Sequence, residues 1–380
     1  MTPLGVAFAA PSAGVAPITR IEVFNAPYRV TSYFRFLPKP ERPSVFVKVT
    51  CEDGSTGWGQ SVPLPTWSYE TPESVTTGIR NYLAPALIGK NPFDLPAIHE
   101  AMRKAIGSSF STGMPIAKAG IDLALHDLAG RVLKRSVPEM WGRAASKKIN
   151  ISWTVNVRDM AEAERVVQDG VDKGYKHFNL KVAPDAKFDL ELCKYVRSAI
   201  THDFFFWIDA NGVYDLATAL RMAPKFADLG VNAFEQPIAP NRLTGLRELK
   251  QQGALPIIFD EGVVSSVELV EFIKLGLLDG VAMKPARTAG LFDARRQIEI
   301  VQQAGLMFLG SGLTDPDVSL AASLQLYGAY QLAYPAALNG LQFLASSYLK
   351  TPFEIKDGAL EVPTGAGLGV MVDEQKVRKG

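Results

Sequence analysis

Residues 177–285 contain five apolar runs that end on a charged side chain: HFNLKV at 177–182, FFFWIDAN at 204–211, AFEQP at 233–237, IIFDE at 257–261 and GVAMKP at 280–285. The charged residues are Lys181, Asp209, Glu235, Asp260 and Lys284. The last four are 26, 25 and 24 residues apart, about the length of a strand, a turn, a helix and a second turn. A parallel strand buried on both faces is a near-continuous apolar run, as residues 204–208 are. The stretch is therefore predicted to fold as successive βα units.

The same alternation extends over residues 148–351 and predicts a barrel. Eight strands are expected, at 149–157, 177–182, 204–211, 233–237, 256–261, 280–285, 306–311 and 338–342. Parallel strands that alternate with helices in this way are typical of the TIM (β/α)-barrel, an α/β fold whose enzymes keep their chemistry at the C-terminal ends of the strands. The three acids and two lysines are thus expected to converge at the mouth of one barrel.

The chain ahead of the barrel has a different pattern. Strands are expected at 19–24, at 45–50 and in a third segment that ends at Gln60, and helices near 71–85, 94–106 and 115–134. Three strands followed by helices predict an α+β capping domain at 18–147. The Gly-rich segment 352–380 is expected to return to this cap and complete it. Residues 1–17, rich in Ala, Gly and Pro, are expected to form a flexible tail.

Composition excludes several classes of protein. The chain has 380 residues and a formal charge of +1, so neither nucleic acid nor an anionic membrane is an expected partner. Two cysteines, Cys51 and Cys193, are too few for a disulfide framework or a thiolate metal cluster. No stretch reaches the ~18 apolar residues of a membrane span. A cytoplasmic protein is expected.

Asp209, Glu235 and Asp260 are expected to bind a metal ion. Three hard carboxylate ligands from adjacent strands suit Mg²⁺, which leaves positions for water and an anionic substrate; Mn²⁺ is the alternative ion. Such an ion would stabilise the enediolate that forms when a proton leaves the carbon beside a carboxylate. Lys181 and Lys284, on strands at either side of the acids, are expected to face each other across a small carboxylate substrate. The alternative is that each acid simply pairs with a lysine.

Several motifs together resemble the enolase superfamily, and more narrowly its muconate lactonizing enzyme-like subgroup. The cap strand ends GWGQ, a helix reads IDLALHDLAG, the strand ends read NLK, DAN, EQP, DE and KPARTAGL, and the chain closes with GALEVPTGAGLGV. The resemblance implies that Asp209, Glu235 and Asp260 bind Mg²⁺ and that Lys181 and Lys284 act as acid and base on opposite faces of the substrate. It also implies that Asn211 and Gln236 hydrogen-bond near the ligands, and that the protein is a homo-oligomer.

Three details narrow the choice of branch within the superfamily. The mandelate racemase branch requires a histidine at the end of the seventh strand, but no histidine follows His202. Dipeptide epimerases hold an ammonium with an acidic pair after the eighth strand, where this chain reads LNGLQFLASS. Enolase itself has a different arrangement of lysine and acids.

Two positions depart from the subgroup's pattern. Where the subgroup shows Lys-x-Lys on the second strand, this chain has Asn179 two residues before Lys181, on the same face. Without a second cation beside it, Lys181 is expected to act as an acid or electrostatic clamp, and Lys284 as the base. After the seventh strand the subgroup often has one acid. Asp315 is the better match and Asp317 the alternative, and the Asp315-Pro316 pair is equally consistent with a simple turn before a helix.

Substrate contacts are expected from cap loops that cover the barrel mouth. Thr66, Trp67 and Tyr69 are candidates, with packing of the cap or a subunit contact as the alternative. Arg29 and Arg35 are candidates for a second anionic group of the substrate, although loop arginines are usually just solvated. Asn179 is a further candidate, from the barrel itself.

The predicted enzyme abstracts a proton α to a carboxylate, and the outcome of the intermediate is left open. Return of the proton to the other face gives racemisation or epimerisation, and cycloisomerisation uses the same intermediate. Loss of a β-leaving group would make the protein a dehydratase. A metal-binding barrel without catalysis is the alternative from another class.

Overall fold

The computed structural model describes residues 15–108 and 111–380. It consists of an α+β cap on the mouth of a (β/α)-barrel, so the predicted fold class is confirmed. Residues 1–14 of the predicted tail at 1–17 lie outside the described part of the chain.

The cap begins with two small sheets. Its strands are β1 Ile18–Asn25, β2 Tyr28–Val30, β3 Glu41–Arg42, β4 Val45–Cys51 and β5 Thr56–Ser61. The larger sheet is antiparallel in the order β1-β4-β5. It contains the three strands expected at 19–24, 45–50 and up to Gln60. The loop between β2 and β3 covers part of the barrel mouth.

The helices of the cap follow these strands. They are α1 Pro72–Gly78, α2 Ala84–Leu87, α3 Leu95–Ala105, α4 Pro115–Leu133 and α5 Val137–Met140, with a π-helix, Ile79–Leu83, between α1 and α2. Helix α4 is buried along most of its length, as expected for a helix that is covered on all sides. It packs directly on β5, because a Cβ at Gly59 would lie 1.9 Å from the Gly120 oxygen. The small residues of the GWG motif therefore allow close contact between helix and sheet.

The barrel contains a seven-stranded parallel sheet in sequential order. After the short strand β6 Lys148–Asn150, its strands are β7 Ser152–Val155, β8 His177–Lys181, β9 Phe206–Asp209, β10 Ala233–Glu235, β11 Ile257–Phe259, β12 Gly280–Met283 and β13 Met307–Gly310. The helices between and after them are α6 Met160–Asp172, α7 Ala186–Ala199, α8 Leu216–Asp228, α9 Leu243–Gln252, α10 Ser266–Lys274, α11 Leu291–Gln303 and α12 Asp317–Ala329. Each lies where the alternation predicts a helix.

The eighth position of the barrel is not the strand predicted at 338–342. Single parallel bridges connect Ala336 to Ile151 and Ala337 to Ser311, and so close the barrel. Residues Gly340–Phe343 then form a short helix, α13. The side-chain amide of Gln342 continues the ladder, since it accepts from the Thr154 amide at 3.1 Å and donates to the Thr154 oxygen at 2.8 Å. A side chain thus takes the place of a strand's backbone, and this is why the predicted strand was wrong.

Side chains on the barrel strands alternate between the helices and the lumen, as strand geometry requires. On β8, Phe178 and Leu180 pack into the main hydrophobic core, whereas Asn179 and Lys181 belong to the opposite, lumen-facing side. A separate apolar layer fills the lumen, formed by Trp207, Ala233, Ile258, Ala282, Leu309 and Ala337. The lumen-facing residue next along each of these strands stands above this layer, at the barrel mouth.

Polar contacts that join the cap to the rest of the chain include those of Arg42, Asp122 and Lys48. The guanidinium of Arg42, which is fully buried, donates to the carbonyl oxygens of Pro43, Pro63 and Val62 in the cap, and to that of Leu313, beyond β13, at 2.6 Å. Asp122 of α4 accepts from the Leu291 amide at the start of α11, at 2.6 Å. Lys48 of β4 contacts Glu374 at 2.8 Å.

The C-terminal segment returns along both units. After α13 the chain forms β14 Leu344–Ala345, β15 Ala359–Glu361 and α14 Glu374–Lys379. Strand β14 pairs with β2, and β15 pairs with β6. A turn at Asp357 and Gly358, both of which have positive φ, precedes β15. The contact of Glu374 with the cap shows that the last helix packs there. Among the residues described, no helix has the length and apolarity that a membrane crossing needs.

Candidate active site

Three buried carboxylates lie together at the C-terminal ends of β9, β10 and β11. Asp209 and Glu235 are register partners on adjacent strands, and Asp260 directly follows β11. One ligand atom from each of the three lies within 4.8 Å of the others. The arrangement follows from the sheet, because sequential parallel strands bring equivalent strand ends to one edge.

The neighbours of the acids are fixed by hydrogen bonds. Asp209 accepts from the backbone and side-chain nitrogens of Asn211 at 2.8 and 3.1 Å. Glu235 Oε2 accepts from the indole nitrogen of Trp207 at 2.8 Å. Gln236 Oε1 accepts from the Asp260 amide at 3.1 Å. Both amide residues singled out in the sequence, Asn211 and Gln236, thus hold the strand ends that carry the acids.

The electrostatics of the acids fit a divalent cation. Burial and the charges of Asp209 and Asp260 raise the pKa of Glu235. Burial also acts to raise the pKa of Asp260, but Arg287 and Lys284 outweigh it and lower that pKa. Asp260 Oδ2, although buried, has no hydrogen-bond partner among the described residues. Hard oxygen ligands with an unused buried atom are the donor set that Mg²⁺ and related ions take.

Each lysine contacts an acid of the cluster. Lys181 Nζ lies 2.5 Å from Asp209 Oδ2. Lys284 Nζ contacts Asp260 and lies 3.8 Å from Glu235 Oε1. The acid–lysine pairs that were the alternative to a metal site are therefore present. Both amines also lie at the edge of the one carboxylate cluster.

Trp67 of the cap lies over both lysines. Its ring centroid is 5.2 Å from Lys181 Nζ and 4.6 Å from Lys284 Nζ. The ring stacks on Phe36 at 4.6 Å with an interplanar angle of 11°. Its indole nitrogen is buried and has no hydrogen-bond partner in the described chain. Of the cap residues named from the sequence, Trp67 is the one whose ring contacts the catalytic candidates.

The other cap candidates differ in their surroundings. Thr66 donates its hydroxyl to the Phe36 oxygen at 2.6 Å, which fastens one cap loop to the other. Tyr69 has a positive φ and is 59% exposed. Arg29 is exposed on β2. By contrast, Arg35 lies at the site. It donates to the backbone carbonyl oxygens of Val182 at 2.7 Å and Asp209 at 3.3 Å, and to Asn211 Oδ1 at 3.1 Å.

Asp315 and Asp317 occupy two different places. Asp315 accepts from the Leu313 amide at 3.2 Å and from the Ser323 hydroxyl at 3.3 Å, in the loop behind the mouth. Asp317 accepts from the Tyr28 hydroxyl and the Ser347 hydroxyl, both at 2.6 Å, and from the Tyr348 amide at 2.7 Å. The second carboxylate therefore connects cap, barrel and C-terminal segment.

Two residues of the site had no role in the sequence reasoning. Arg287 is buried and its guanidinium contacts Asp260. Burial and the charge of Asp260 raise the pKa of Glu261, the next residue, well above its ordinary range. Arg287 lies three residues after Lys284 in the KPAR motif, and Glu261 directly follows Asp260. Their closeness in sequence to predicted site residues could have identified both. Asn179 is also buried, and neither polar atom of its side chain has a described hydrogen-bond partner.

Two family models match the chain. Residues 31–142 match the mandelate racemase / muconate lactonizing enzyme N-terminal domain, and residues 159–376 match the enolase C-terminal domain-like family. The chain belongs to the enolase superfamily. Its cap and barrel are those of the muconate lactonizing enzyme-like subgroup, as the motifs predicted.

Similar proteins cover nearly the whole of this superfamily member. The chloromuconate cycloisomerase CbnB of Cupriavidus necator is 31% identical over 366 residues, which are 94% of this chain and 96% of the relative. The N-succinyl-L-Arg/Lys racemase of Bacillus cereus is 25% identical and covers 89% and 90% of the two chains. The muconate lactonizing enzyme of Pseudomonas fluorescens, solved with muconolactone, is 25% identical with a TM-score of 0.89 and covers 96% and 99%. These relatives confirm the prediction of an enolase-superfamily isomerase.

Proposed function

We propose that this enolase-superfamily member is a Mg²⁺-dependent isomerase that removes the α-proton of a small carboxylate substrate. The observation that carries the proposal is the position of Lys181 and Lys284, which flank one carboxylate cluster and contact one aromatic ring. Asp209, Glu235 and Asp260 are the residues that would hold the ion. When bound, the ion supplies positive charge that stabilises an enediolate.

The residues of the chain divide the remaining work. Lys284, close to two of the acids, takes the α-proton, and Lys181 holds or returns a proton on the other face. Trp67 covers both amines and excludes water, which strengthens the electrostatic interactions beneath it. Asn211 and Gln236 keep the acids in position through the hydrogen bonds described above. The barrel residues Asn179 and Asp315 and the remaining cap candidates stay predictions as substrate contacts. The homo-oligomer and the cytoplasmic location also stay predictions.

The enediolate has several exits that still fit an isomerase. Return of a proton to the opposite face gives racemisation or epimerisation. Expulsion of a lactone oxygen from the β-carbon opens a ring, and the reverse reaction, in which a carboxylate oxygen adds to the double bond and the resulting enediolate takes up a proton at the α-carbon, is cycloisomerisation. Two lysines at one cluster serve both reactions. The named activities of the relatives, cycloisomerisation and racemisation, support this range.

The test is exchange of the α-proton with deuterium, followed by NMR in deuterium oxide with Mg²⁺ or Mn²⁺. Suitable probes are muconolactone, N-succinyl-L-arginine and N-acetyl-L-glutamine. Exchange is expected with at least one probe, and removal of the ion by a chelator should stop it. Lys284→Ala should abolish exchange, because general base catalysis contributes about 10²–10⁴-fold. Lys181→Ala is the matched variant: it should impair product formation more than exchange. Intact exchange in Lys284→Ala would exclude the role given to that amine.

A further inference from the structure

The barrel mouth has one lumen-facing residue at each of its eight positions, seven of them at strand ends. In ring order from β7 these residues are Asn156, Lys181, Asp209, Glu235, Asp260, Lys284, Ser311 and Asn339. Lys181, Asp209 and Glu235 are register partners across β8, β9 and β10. Ser311 donates its amide to the Met283 oxygen and therefore lies beside Lys284. Asn339 Nδ2 donates to Thr154 Oγ1 at 3.2 Å, which brings the last position back to the first strand.

The charged and the uncharged residues lie on opposite sides of this ring. The five charged residues stand on five consecutive strands, β8 to β12. The remaining three positions, Asn156, Ser311 and Asn339, form an arc of neutral polar groups, here named the neutral arc. Asn179 stands one layer below Lys181 and beside Thr154, its register partner, so it forms the floor of the same side.

The amides of this side have unused hydrogen-bonding atoms. Asn156 Nδ2, Asn339 Oδ1 and both polar atoms of Asn179 are buried without a hydrogen-bond partner in the described chain. The three residues are only 6%, 7% and 1% exposed. A buried polar atom left unpaired loses its hydration without compensation, so three such side chains in one sector indicate a ligand with donors and acceptors.

The direction of the substrate follows from the ring. A carboxylate at the acids and an α-carbon between Lys181 and Lys284 leave the rest of the molecule on the opposite side, toward the neutral arc. The charges next to the arc already have counter-charges: Lys181 contacts Asp209, Lys284 contacts Asp260, and Asp315 interacts with the guanidinium of Arg42. The described residues of the arc therefore present dipoles and no formal charge.

We propose that the neutral arc and Asn179 bind an uncharged, hydrogen-bonding group at the remote end of the substrate, such as a carboxamide. This rests on the proposed function, which fixes where the carboxylate lies. An ammonium or carboxylate in the arc would lose its hydration without gaining a counter-charge.

The test compares three probes of nearly equal length: N-acetyl-L-glutamine, N-acetyl-L-glutamate and N-acetyl-L-2,4-diaminobutyrate. Their remote groups are neutral, anionic and cationic. Dissociation constants are measured calorimetrically with Mg²⁺ present, and α-proton exchange is measured by NMR on the same samples. The glutamine derivative is expected to bind about tenfold or more tightly than either charged probe. Equal or tighter binding of a charged probe, or no binding of the glutamine derivative, overturns the proposal.

Variants of Asn339 make the test independent of any one probe. Asn339→Asp introduces a charge into the arc and should shift the preference at least tenfold toward the cationic probe. Asn339→Leu is the matched control: it should weaken binding of the glutamine derivative without strengthening binding of the cationic probe. An unchanged order of affinities in Asn339→Asp also overturns the proposal, provided circular dichroism shows a folded protein. If the affinities follow the expected order but no probe exchanges its α-proton, the proposed function fails while the arc's preference stands.

Discussion

The indole ring of Trp67 lies 4.6 Å from the Nζ of Lys284, although the two residues belong to different parts of the chain, the cap and the barrel. The same ring lies 5.2 Å from Lys181 Nζ. One cap residue therefore contacts both amines that the proposed reaction uses. The position of the cap on the barrel and the positions of the proposed acid and base therefore depend on each other through this ring.

Replacement of Trp67 by Ala should lower kcat/KM about 10–100-fold, since each cation–π contact is worth about 0.5–2 kcal/mol and the ring also excludes water. Trp67→Phe keeps an aromatic face and should retain most of the activity. Steady-state kinetics on whichever probe proves active will check this. Wild-type kinetics in Trp67→Ala would mean that the ring only packs against Phe36.

Replacement of Arg35 by Met should weaken divalent-ion binding about tenfold or more, because groups that orient metal ligands commonly contribute this much. Arg35 donates to the oxygens of Val182 and Asp209 and to Asn211, so it fixes two strand ends. Mn²⁺ titration followed by electron paramagnetic resonance gives the affinity. Arg29→Met, an exposed arginine of the same loop region, is the control and should leave it unchanged. A similar loss in both variants would point to a general effect of charge.

Asp317 should prove important for stability. Asp317→Ala removes the acceptor of Tyr28, Ser347 and the Tyr348 amide, and should lower the free energy of unfolding by about 3 kcal/mol. Asp317→Asn keeps the shape and one acceptor oxygen, which can still accept from the Tyr28 hydroxyl and the Tyr348 amide, and should cost about 1 kcal/mol. Urea denaturation measures both. Activity per folded molecule should persist, and its selective loss in a stable Asp317→Asn protein would instead make this carboxylate a substrate contact.

Glu70 should make stability depend on pH. Its carboxylate accepts from the Ile116 and Ala117 amides at 2.7 and 3.0 Å, and burial raises its pKa from 4.5 to about 7. The folded chain then holds the proton more tightly than the unfolded chain, so stability is greatest below pH 4.5 for this group and falls as the pH rises to about 7. The full effect is about 3 kcal/mol.

Glu70→Gln should remove this slope while shifting stability by a constant amount. Denaturant midpoints of both proteins, taken across that pH window, give the comparison. Parallel curves for the two proteins would show that Glu70 has the same pKa in the folded and unfolded chains.

The barrel was predictable where the sequence supplies periodic signals. Apolar runs that end on Asp209, Glu235 and Lys284 specify buried parallel strands and their chemical ends at once, and α4 is visible from its helical spacing. Local pattern carries no information about Gln342, whose amide replaces the eighth strand, because that role depends on where Thr154 lies in three dimensions. We have no physical account of the π-helix at Ile79–Leu83, where a single α-helix was expected.

The site was predictable to the extent that strand ends define it. The ring of mouth residues follows from strand order once the runs are recognised. The cap contacts do not follow, because Trp67, Thr66 and Tyr69 are near neighbours in sequence and yet point to different surroundings. Arg35 and Arg29 illustrate the same limit, since only the path of the loop decides which guanidinium reaches the barrel.

The buried guanidinium of Arg42 has a consequence for how the chain unfolds. Its nitrogens satisfy carbonyl groups on both sides of the boundary between cap and barrel. Pulling the two units apart would break the bond to the Leu313 oxygen and expose the buried interface around Arg42 to water, so the two units are expected to unfold together. A calorimetric scan is expected to show one cooperative endotherm, and a fragment cut between them should remain unfolded or aggregate.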